Sequence, residues 1–228
     1  MTAATEGARF ASRRHRVALE RRDGAPVVRK TYADAEAARR ERSAYERLVP
    51  LGIRVPVPLG WETPTGDDRD GGPPDLVLPY VDGPTALDLL EAQEAGAPDA
   101  PRDLSPWRAL AAWCAEFHQR SGLALGDPNL RNFLREASTG RWFGIDFEDC
   151  AAGDAADDFG ALLAFVVTYD PARTPWKQAV AAAMREAYAE RTGVSAECLL
   201  ARQADGERAL AERRRLRATQ DGPLPLAN

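Results

Sequence analysis

The chain has 228 residues, of which 44% are hydrophobic and 29% are charged, so it can bury a core as one domain or two small lobes. Its formal net charge of −5 excludes bulk attraction to nucleic acid as a basis for function. Neither G-x-G-x-x-G nor G-x-x-x-x-G-K-[ST] occurs, so the chain lacks the main signature of Rossmann dinucleotide-binding proteins and that of P-loop NTPases.

The first predicted elements are two strands joined by a tight turn. Residues 15–20 alternate in polarity, Asp23-Gly24 is typical of a hairpin turn, and a second strand follows over Val27–Tyr32. Lys30 lies in that second strand and is one of only two lysines in the chain. It is either a solvated strand lysine or the lysine that pairs with the α- and β-phosphates of a nucleotide.

Before this hairpin, residues 7–12 stand where a phosphate-covering loop is expected, with Ser12 as its candidate nucleotide ligand, although the segment has only one glycine.

A helix is predicted next, capped by Asp34 and ending near Val49. One face of it carries three apolar side chains and a carboxylate, namely Ala38, Glu41, Tyr45 and Leu48. A carboxylate in an apolar stripe is costly to bury unless a cation or water meets it. Lys30 is the nearest candidate cation along the chain, and the order of strand lysine and helix glutamate indicates a device for positioning phosphate.

The next stretch predicts a connector and then a short buried strand over Leu76–Val81. Asp82-Gly83-Pro84 ends that strand, so we expect a lobe boundary at residue 82. The end of the strand can bind an adenine, with the Pro79 carbonyl accepting a hydrogen bond and the Val81 N–H donating one. A plain connector between lobes is an equally good interpretation.

Helices are predicted over residues 85–95 and from Ser105-Pro106 onward, with His118 as a core or capping histidine near the end of the second. A central loop follows. Asp127 precedes a proline, which disfavours helix and leaves the carboxylate in an extended turn where it can accept a proton from a substrate hydroxyl. Five residues later, Asn132 offers an amide oxygen to a metal.

A hairpin of two short strands, 133–135 and 141–145, then returns Asp146 towards Asn132, and oxygen ligands of this kind suit Mg²⁺. Ordinary turn and capping roles are the alternative for these residues.

Glu148 and Asp149 are either surface charges or a surface for a cationic substrate. The carboxylates of Asp154, Asp157 and Asp158 predict the N-terminus of a helix over Phe159–Thr168. Two final helices are predicted over 176–191 and 196–218, the last rich in arginine.

The motif Leu125-Gly126-Asp127-Pro128-Asn129-Leu130-Arg131-Asn132 resembles the pattern His-Gly-Asp-x-x-x-x-Asn of the aminoglycoside phosphotransferase and choline kinase-like family, with leucine in place of histidine. Ile145-Asp146-Phe147-Glu148-Asp149 resembles the later pattern of the same family, which belongs to the protein-kinase-like superfamily. The resemblance covers roughly Val27–Phe165. It implies an α+β, two-lobed protein-kinase-like fold, with a small antiparallel β N-lobe over residues 1–82 and a mainly helical C-lobe over 83–228.

By this resemblance the protein uses ATP and Mg²⁺ and has five site residues with defined roles. Asp127 would be the catalytic base, Asn132 and Asp146 the magnesium ligands, and Lys30 with Glu41 the phosphate-positioning pair. The segment Pro79–Gly83 would form the nucleotide-binding hinge, and Asp158 would have a structural role.

We therefore expect an ATP- and Mg²⁺-dependent phosphotransferase that acts on a hydroxyl of a small molecule. One alternative is a small RIO-type kinase or ATPase that acts on a protein or a tRNA-modifying assembly, favoured by the short chain and by a basic last helix able to contact protein or RNA. A pseudokinase scaffold that binds nucleotide is another, favoured by Leu125 and the glycine-poor loop. Three scattered cysteines and the absence of a long apolar segment favour a soluble cytoplasmic protein without membrane association.

Overall fold

The computed structural model describes residues 9–10, 14–63, 72–96 and 102–220. Ser12, the candidate ligand in the predicted phosphate-covering loop, lies outside the described residues. The chain divides into two compact units. The first contains the described residues up to Asp88 together with Leu125–Asp127 and Arg131–Ala151, and the second contains Leu89–Ala124, Pro128–Leu130 and the described residues from Ala152 onward. The lobe boundary predicted after residue 82 stays a prediction.

The first unit contains an antiparallel sheet in the order β1-β2-β3-β5-β4. Its strands are β1 Arg9–Phe10, β2 Arg16–Arg22, β3 Ala25–Thr31, β4 Gly60–Glu62 and β5 Asp75–Pro79. The predicted hairpin between β2 and β3 is confirmed, because Asp23 and Gly24 both have positive φ, +50° and +81°, as a type I′ turn requires. Lys30 is paired with Val17 on one side and Leu76 on the other, so it lies on the central strand.

Helix α1, Ala35–Leu48, follows β3 and begins and ends as predicted. The Asp34 side chain accepts a hydrogen bond from the Ala37 N–H and so satisfies one of the free donors of the first turn. The buried face consists of Ala37, Ala38, Glu41, Ala44, Tyr45 and Leu48. The predicted stripe is therefore confirmed, including its carboxylate, which is only 1% exposed.

A second, two-stranded sheet in the same unit is formed by β6, Phe133–Arg135, and β7, Trp142–Gly144. The segment after β5 is joined to this hairpin by two backbone hydrogen bonds, from Ala137 N–H to Asp82 O at 2.8 Å and from Arg135 N–H to Pro84 O at 2.9 Å. Gly83 lies between the two acceptors, and a Cβ there would stand 1.9 Å from the Arg135 carbonyl oxygen. Only glycine permits this close approach of two backbones.

The remaining helices are α2 Ala86–Glu94, α3 Ser105–Ser121, α4 Ala155–Thr168, α5 Pro175–Thr192 and α6 Ala196–Gln220. Helix α4 begins four residues before the predicted Phe159, so the expectation for its start is wrong. The physical reason is the cap, because Asp154 accepts from the N–H groups of Ala156 and Asp157 and starts the helix directly after itself. Within the described residues, no helix is both long and apolar enough to cross a membrane.

A buried polar network connects α3, α4 and α5 in the second unit. His118 bonds to the Asp158 carboxylate at 3.0 Å through Nε2 and to the Tyr188 hydroxyl at 2.7 Å through Nδ1. The Tyr188 ring stacks on Phe159, with ring centroids 3.8 Å apart, and burial raises the pKa of Tyr188 above its ordinary value. The prediction of His118 as a core histidine is confirmed, since it is 6% exposed and both ring nitrogens are engaged.

Lys177, the second lysine of the chain, is also buried in the second unit, with 1% exposure. Its ammonium donates to the carbonyl oxygens of Pro171 at 2.7 Å and Tyr169 at 3.1 Å, and it lies 3.7 Å from a carboxylate oxygen of Glu94. Two backbone carbonyls after the end of α4 thus depend on one side chain. Lys177 is a structural lysine that holds the α4–α5 connection to α2.

Replacing Lys177 by methionine is expected to lower the free energy of unfolding by about 3 kcal/mol, because buried acceptors and a carboxylate lose their partner together. For a chain of this size the thermal midpoint should fall by roughly 6–12 °C. The matched control is Arg108→Met, which removes an exposed 2.7 Å ion pair with Glu186 and should cost less than about 1 kcal/mol. Thermal unfolding followed by circular dichroism measures both, and equal midpoints for the two variants would contradict the structural role.

Candidate active site

Lys30 is the centre of a buried ionic cluster in the first unit. Its ammonium, on a residue 7% exposed, donates to Glu41 Oε2 at 2.6 Å and also to Asp146 Oδ1. The structure therefore brings together one lysine of the central strand, one glutamate of α1 and one aspartate after β7. These are three of the five residues to which the sequence assigned roles, and Asp146 lies more than 100 positions after the other two.

The charge state of the cluster follows from burial and from pairing. Burial alone would lower the pKa of the Lys30 ammonium, but Glu41 and Asp146 offset this effect and raise the pKa above its ordinary value. Burial raises the pKa of the Glu41 carboxyl, and the nearby charge of Asp146 adds to that effect while Lys30 opposes it. Lys30 is thus a permanent cation at neutral pH, which is the property that a phosphate-binding lysine needs.

Glu41 is held at both of its carboxylate oxygens. Oε2 accepts from Lys30 and from the Tyr32 hydroxyl at 2.7 Å, and Oε1 accepts from the Phe147 N–H at 3.3 Å. Its orientation is therefore determined by the sheet on one side and by the residue after Asp146 on the other. A carboxylate with both oxygens engaged is well suited to fix the direction of the lysine side chain.

Asp146 is the most exposed member of the cluster, with its side chain 42% accessible. Its backbone is in the left-handed region, with φ at +64°, which is uncommon for a residue other than glycine. Such a conformation costs free energy and persists only where the surroundings impose it. The carboxylate is accessible to a metal ion, while the backbone that carries it is under conformational constraint.

Asp127 and Asn132 lie on one turn that ends in a short 3₁₀ segment, Leu130–Asn132. The Asn132 side-chain amide donates to the Asp127 backbone carbonyl at 3.0 Å. In the described part of the chain its Oδ1 accepts no hydrogen bond, so the oxygen remains available as a ligand. The Asn132 backbone carbonyl accepts from Ile145 N–H at 2.9 Å, which brings the residue before Asp146 next to this turn.

Gly126 shapes the entry to this turn. Its φ is +78°, and a Cβ at this position would stand 2.1 Å from the carbonyl oxygen of Asp149. Leu125, which replaces the histidine of the family pattern, is 7% exposed and has an apolar packing role. The backbone before Asp127 is thus pressed against the segment after Asp146.

Sequence reasoning missed the environment of Glu148. It was expected on the surface, but its carboxylate is buried, with the whole residue 4% exposed. Oε1 accepts from Arg14 at 2.8 Å, and Oε2 bonds to His15 Nε2 and lies 3.7 Å from Lys30 Nζ. Burial would raise the pKa of Glu148, but Lys30 and the bonds from Arg14 and His15 lower it below its ordinary value.

The sequence contains little that indicates the contact between Glu148 and His15. His15 is one of only two histidines, and it directly precedes β2, but its partner lies 133 positions away. Asp149 is half-buried and pairs with Arg14 at 3.1 Å, so it is an intramolecular partner of an arginine. The ligand oxygens of Glu41, Asp146 and Glu148 all lie within 4.8 Å of one another around the Lys30 ammonium.

The hinge candidates are the last residue of β5 and the segment directly after it. Pro79 ends the strand opposite Val27, and the Tyr80 N–H donates to the Pro26 carbonyl at 3.3 Å. Within the described ranges, the half-buried Val81 makes no backbone hydrogen bond, so its N–H is able to donate to a ligand. The adenine-binding role of Pro79 and Val81 stays a prediction.

Residues 86–197, which include Asp127, Asn132 and Asp146, match the family model described as Phosphotransferase enzyme family. The resemblance to this family is confirmed. The chain is a kinase-type phosphotransferase. The family match therefore supports the predicted enzyme over the alternative of a pseudokinase scaffold. A search of curated proteins gives no match.

Among solved structures, this phosphotransferase is similar to WaaP in complex with acyl carrier protein, with a TM-score of 0.59 and 18% sequence identity. The similarity covers 89% of this chain and 88% of that chain. At this identity the comparison establishes the fold alone. The predicted α+β protein-kinase-like fold, with an antiparallel sheet in the N-terminal region and a helical part, is confirmed.

Proposed function

We propose that this phosphotransferase moves the γ-phosphoryl group of ATP to a hydroxyl of a small molecule. The observation that carries the proposal is the Lys30 cation held between Glu41 and Asp146, with the register of the β6–β7 hairpin linking Asp146 to the turn of Asp127 and Asn132. Phosphoryl transfer depends mainly on positioning and on neutralising charge. A buried, permanently charged lysine next to an accessible carboxylate supplies both.

Each side chain has a distinct role in this proposal. Lys30 contacts the nucleotide phosphates, and Glu41 fixes its direction. Asp127 accepts the proton of the attacking hydroxyl, a role that its half-buried place in an extended turn permits. The hinge at the end of β5, with Pro79 and Val81, binds the adenine through backbone groups.

Asn132 and Asp146 are the residues that would hold Mg²⁺. Their free amide oxygen and accessible carboxylate are hard oxygen donors, which is the donor set that Mg²⁺ prefers, so the residues fit the ion. When bound, Mg²⁺ would neutralise charge on the phosphates. The amide nitrogen of Asn132 donates to the Asp127 backbone carbonyl, and this bond restrains the side-chain amide that carries the oxygen.

A protein acceptor or partner is a second candidate. WaaP was solved in complex with acyl carrier protein, and α6 of this chain carries three consecutive exposed arginines, Arg213, Arg214 and Arg215. Such a run suits an acidic protein surface. Incubation with radiolabelled ATP and candidate acceptors separates the two possibilities, because label in a small molecule supports the first and label in a protein supports the second.

The proposal is tested by thermal unfolding with ATP at varied Mg²⁺. A ligand that binds only the folded protein stabilises it by about 2.7 kcal/mol at a hundredfold excess over Kd, so wild type should show a clear Mg²⁺-dependent rise in midpoint. We expect Asp146→Asn to lose the Mg²⁺ dependence, because the amide removes the charge that attracts the ion. The control Asp154→Asn changes the same charge at a helix cap where asparagine serves equally well. An Asp146→Asn protein with the wild-type response would contradict the metal role.

A further inference from the structure

His15 makes a hydrogen bond with each of its ring nitrogens in the first unit. The residue is 7% exposed and directly precedes β2. Its Nδ1 accepts from the Ala33 N–H at 3.2 Å, and a ring nitrogen that accepts carries no hydrogen. The proton of the neutral ring is therefore on Nε2, which donates to Glu148 Oε2. The Ala33 contact thus assigns the tautomer and orients the ring towards Glu148.

Glu148 is held from several directions. Its Oε2 bonds directly to the buried His15 and lies farther, at 3.7 Å, from the buried Lys30 ammonium. The Arg14 side chain, which bonds to Oε1 at 2.8 Å, is 63% exposed, and exposed ion pairs contribute little. Arg40 donates to the Glu148 backbone carbonyl at 3.0 Å and leaves the carboxylate untouched. The position of the buried carboxylate oxygen therefore depends chiefly on His15.

This contact bears on Asp146, two residues earlier. The left-handed backbone of Asp146 requires support from its neighbours, and the residues after it provide that support. Phe147 is fixed by its N–H bond to Glu41, and Glu148 is fixed by His15. The Glu148 oxygen that bonds to His15 also lies 3.7 Å from Lys30 Nζ, so the His15 contact is continuous with the ion pairs of Lys30.

We propose that His15 is a positioning residue of the phosphotransfer site, which acts through Glu148 to hold Asp146 in its metal-binding position. This inference rests on the proposed function. In this proposal His15 acts through Glu148 and is not itself a magnesium ligand. Its effect should therefore appear in the Mg²⁺ requirement and not in the chemistry of the base.

Two substitutions of His15 separate this role from simple packing. Asparagine can retain an acceptor for the Ala33 N–H but is too short to reach Glu148, whereas glutamine can place an amide donor near the position of Nε2. We expect His15→Asn to raise the Mg²⁺ concentration for half-maximal ATP stabilisation by about tenfold, since loss of a residue that supports a metal ligand commonly weakens metal binding to that extent. We expect His15→Gln to recover most of that loss. Titration of Mg²⁺ against ATP-dependent thermal stabilisation measures both.

The control is His118→Asn, which removes the other buried histidine and its contact with a carboxylate, that of Asp158. It should lower stability and leave the Mg²⁺ requirement unchanged. Glu148→Gln tests the same contacts from the other end, and combining it with His15→Asn should add little to either single effect. The single variant Glu148→Gln thus keeps the test decisive if His15→Asn is poorly stable.

The outcomes distinguish two failures. If wild type is stabilised by ATP and Mg²⁺ but His15→Asn keeps the wild-type requirement, the role of His15 is overturned and the proposed function stands. An equal shift in His118→Asn would also overturn it, since any loss of stability would then suffice. If wild type does not respond to ATP at any Mg²⁺ concentration, the proposed function itself is overturned, and the role of His15 with it.

Discussion

Replacing Asp127 by asparagine is expected to lower kcat by at least about 100-fold, in the range that removal of a general base produces. Asparagine has the same shape but cannot take the proton of the attacking hydroxyl. The loop should keep its form, because the contact that Asp127 gives to Asn132 is made by its backbone carbonyl and not by its carboxylate. ATP affinity should therefore stay close to that of wild type.

Steady-state turnover and an ATP titration of the same preparation measure the two expectations together. Asp157→Asn is the matched control, since it removes an exposed carboxylate on α4 that pairs with Arg202 at 3.1 Å. Its turnover should be unchanged. An Asp127→Asn enzyme that is as active as this control would show that the proton leaves by another route and that the base is wrongly assigned.

Replacing Gly126 by alanine is expected to destabilise the fold by about 3 kcal/mol or more, and to lower turnover as well. A left-handed alanine costs about 1–2 kcal/mol by itself. In addition, the new Cβ would stand 2.1 Å from the Asp149 carbonyl oxygen and 2.9 Å from its carbon, so one backbone must move. That movement displaces Asp127, and misplacement of a reacting group by about 1 Å can cost 100-fold in rate.

Gly24→Ala is a control in the same unit with nearly the same backbone conformation. Its φ is +81°, but no atom lies within 4 Å of the added Cβ, so only the conformational cost should appear. Denaturant midpoints compare the two variants directly. Equal losses of stability in the two variants would mean that the close approach of Gly126 to Asp149 adds no cost beyond that of the left-handed backbone conformation.

Much of the first unit could be predicted because its signals are local. The hairpin turn at Asp23 and Gly24, the cap at Asp34 and the stripe with Glu41 each depend on residues a few positions apart. The contact between Lys30 and Glu41 spans only 11 residues, and the unfavourable burial of a lone carboxylate was enough to predict it.

The parts that could not be predicted depend on distant partners. Nothing near Glu148 indicates burial, because the partners that permit it, Arg14 and His15, lie more than 130 residues earlier. The two-residue strand β1 is too short to leave a periodic pattern. The start of α4 was placed too late because alanines carry no distinct hydrophobic signal, although they are strong helix formers.

The distribution of lysine has a practical consequence for chemical labelling. The whole chain contains only Lys30 and Lys177, and both ε-amino groups are buried and bound to oxygen acceptors. Acylating reagents and amine-directed cross-linkers therefore meet no accessible lysine on this molecule. Under the proposed function, a reagent that carries its reactive group on an adenosine scaffold would modify Lys30 without competition from an exposed lysine.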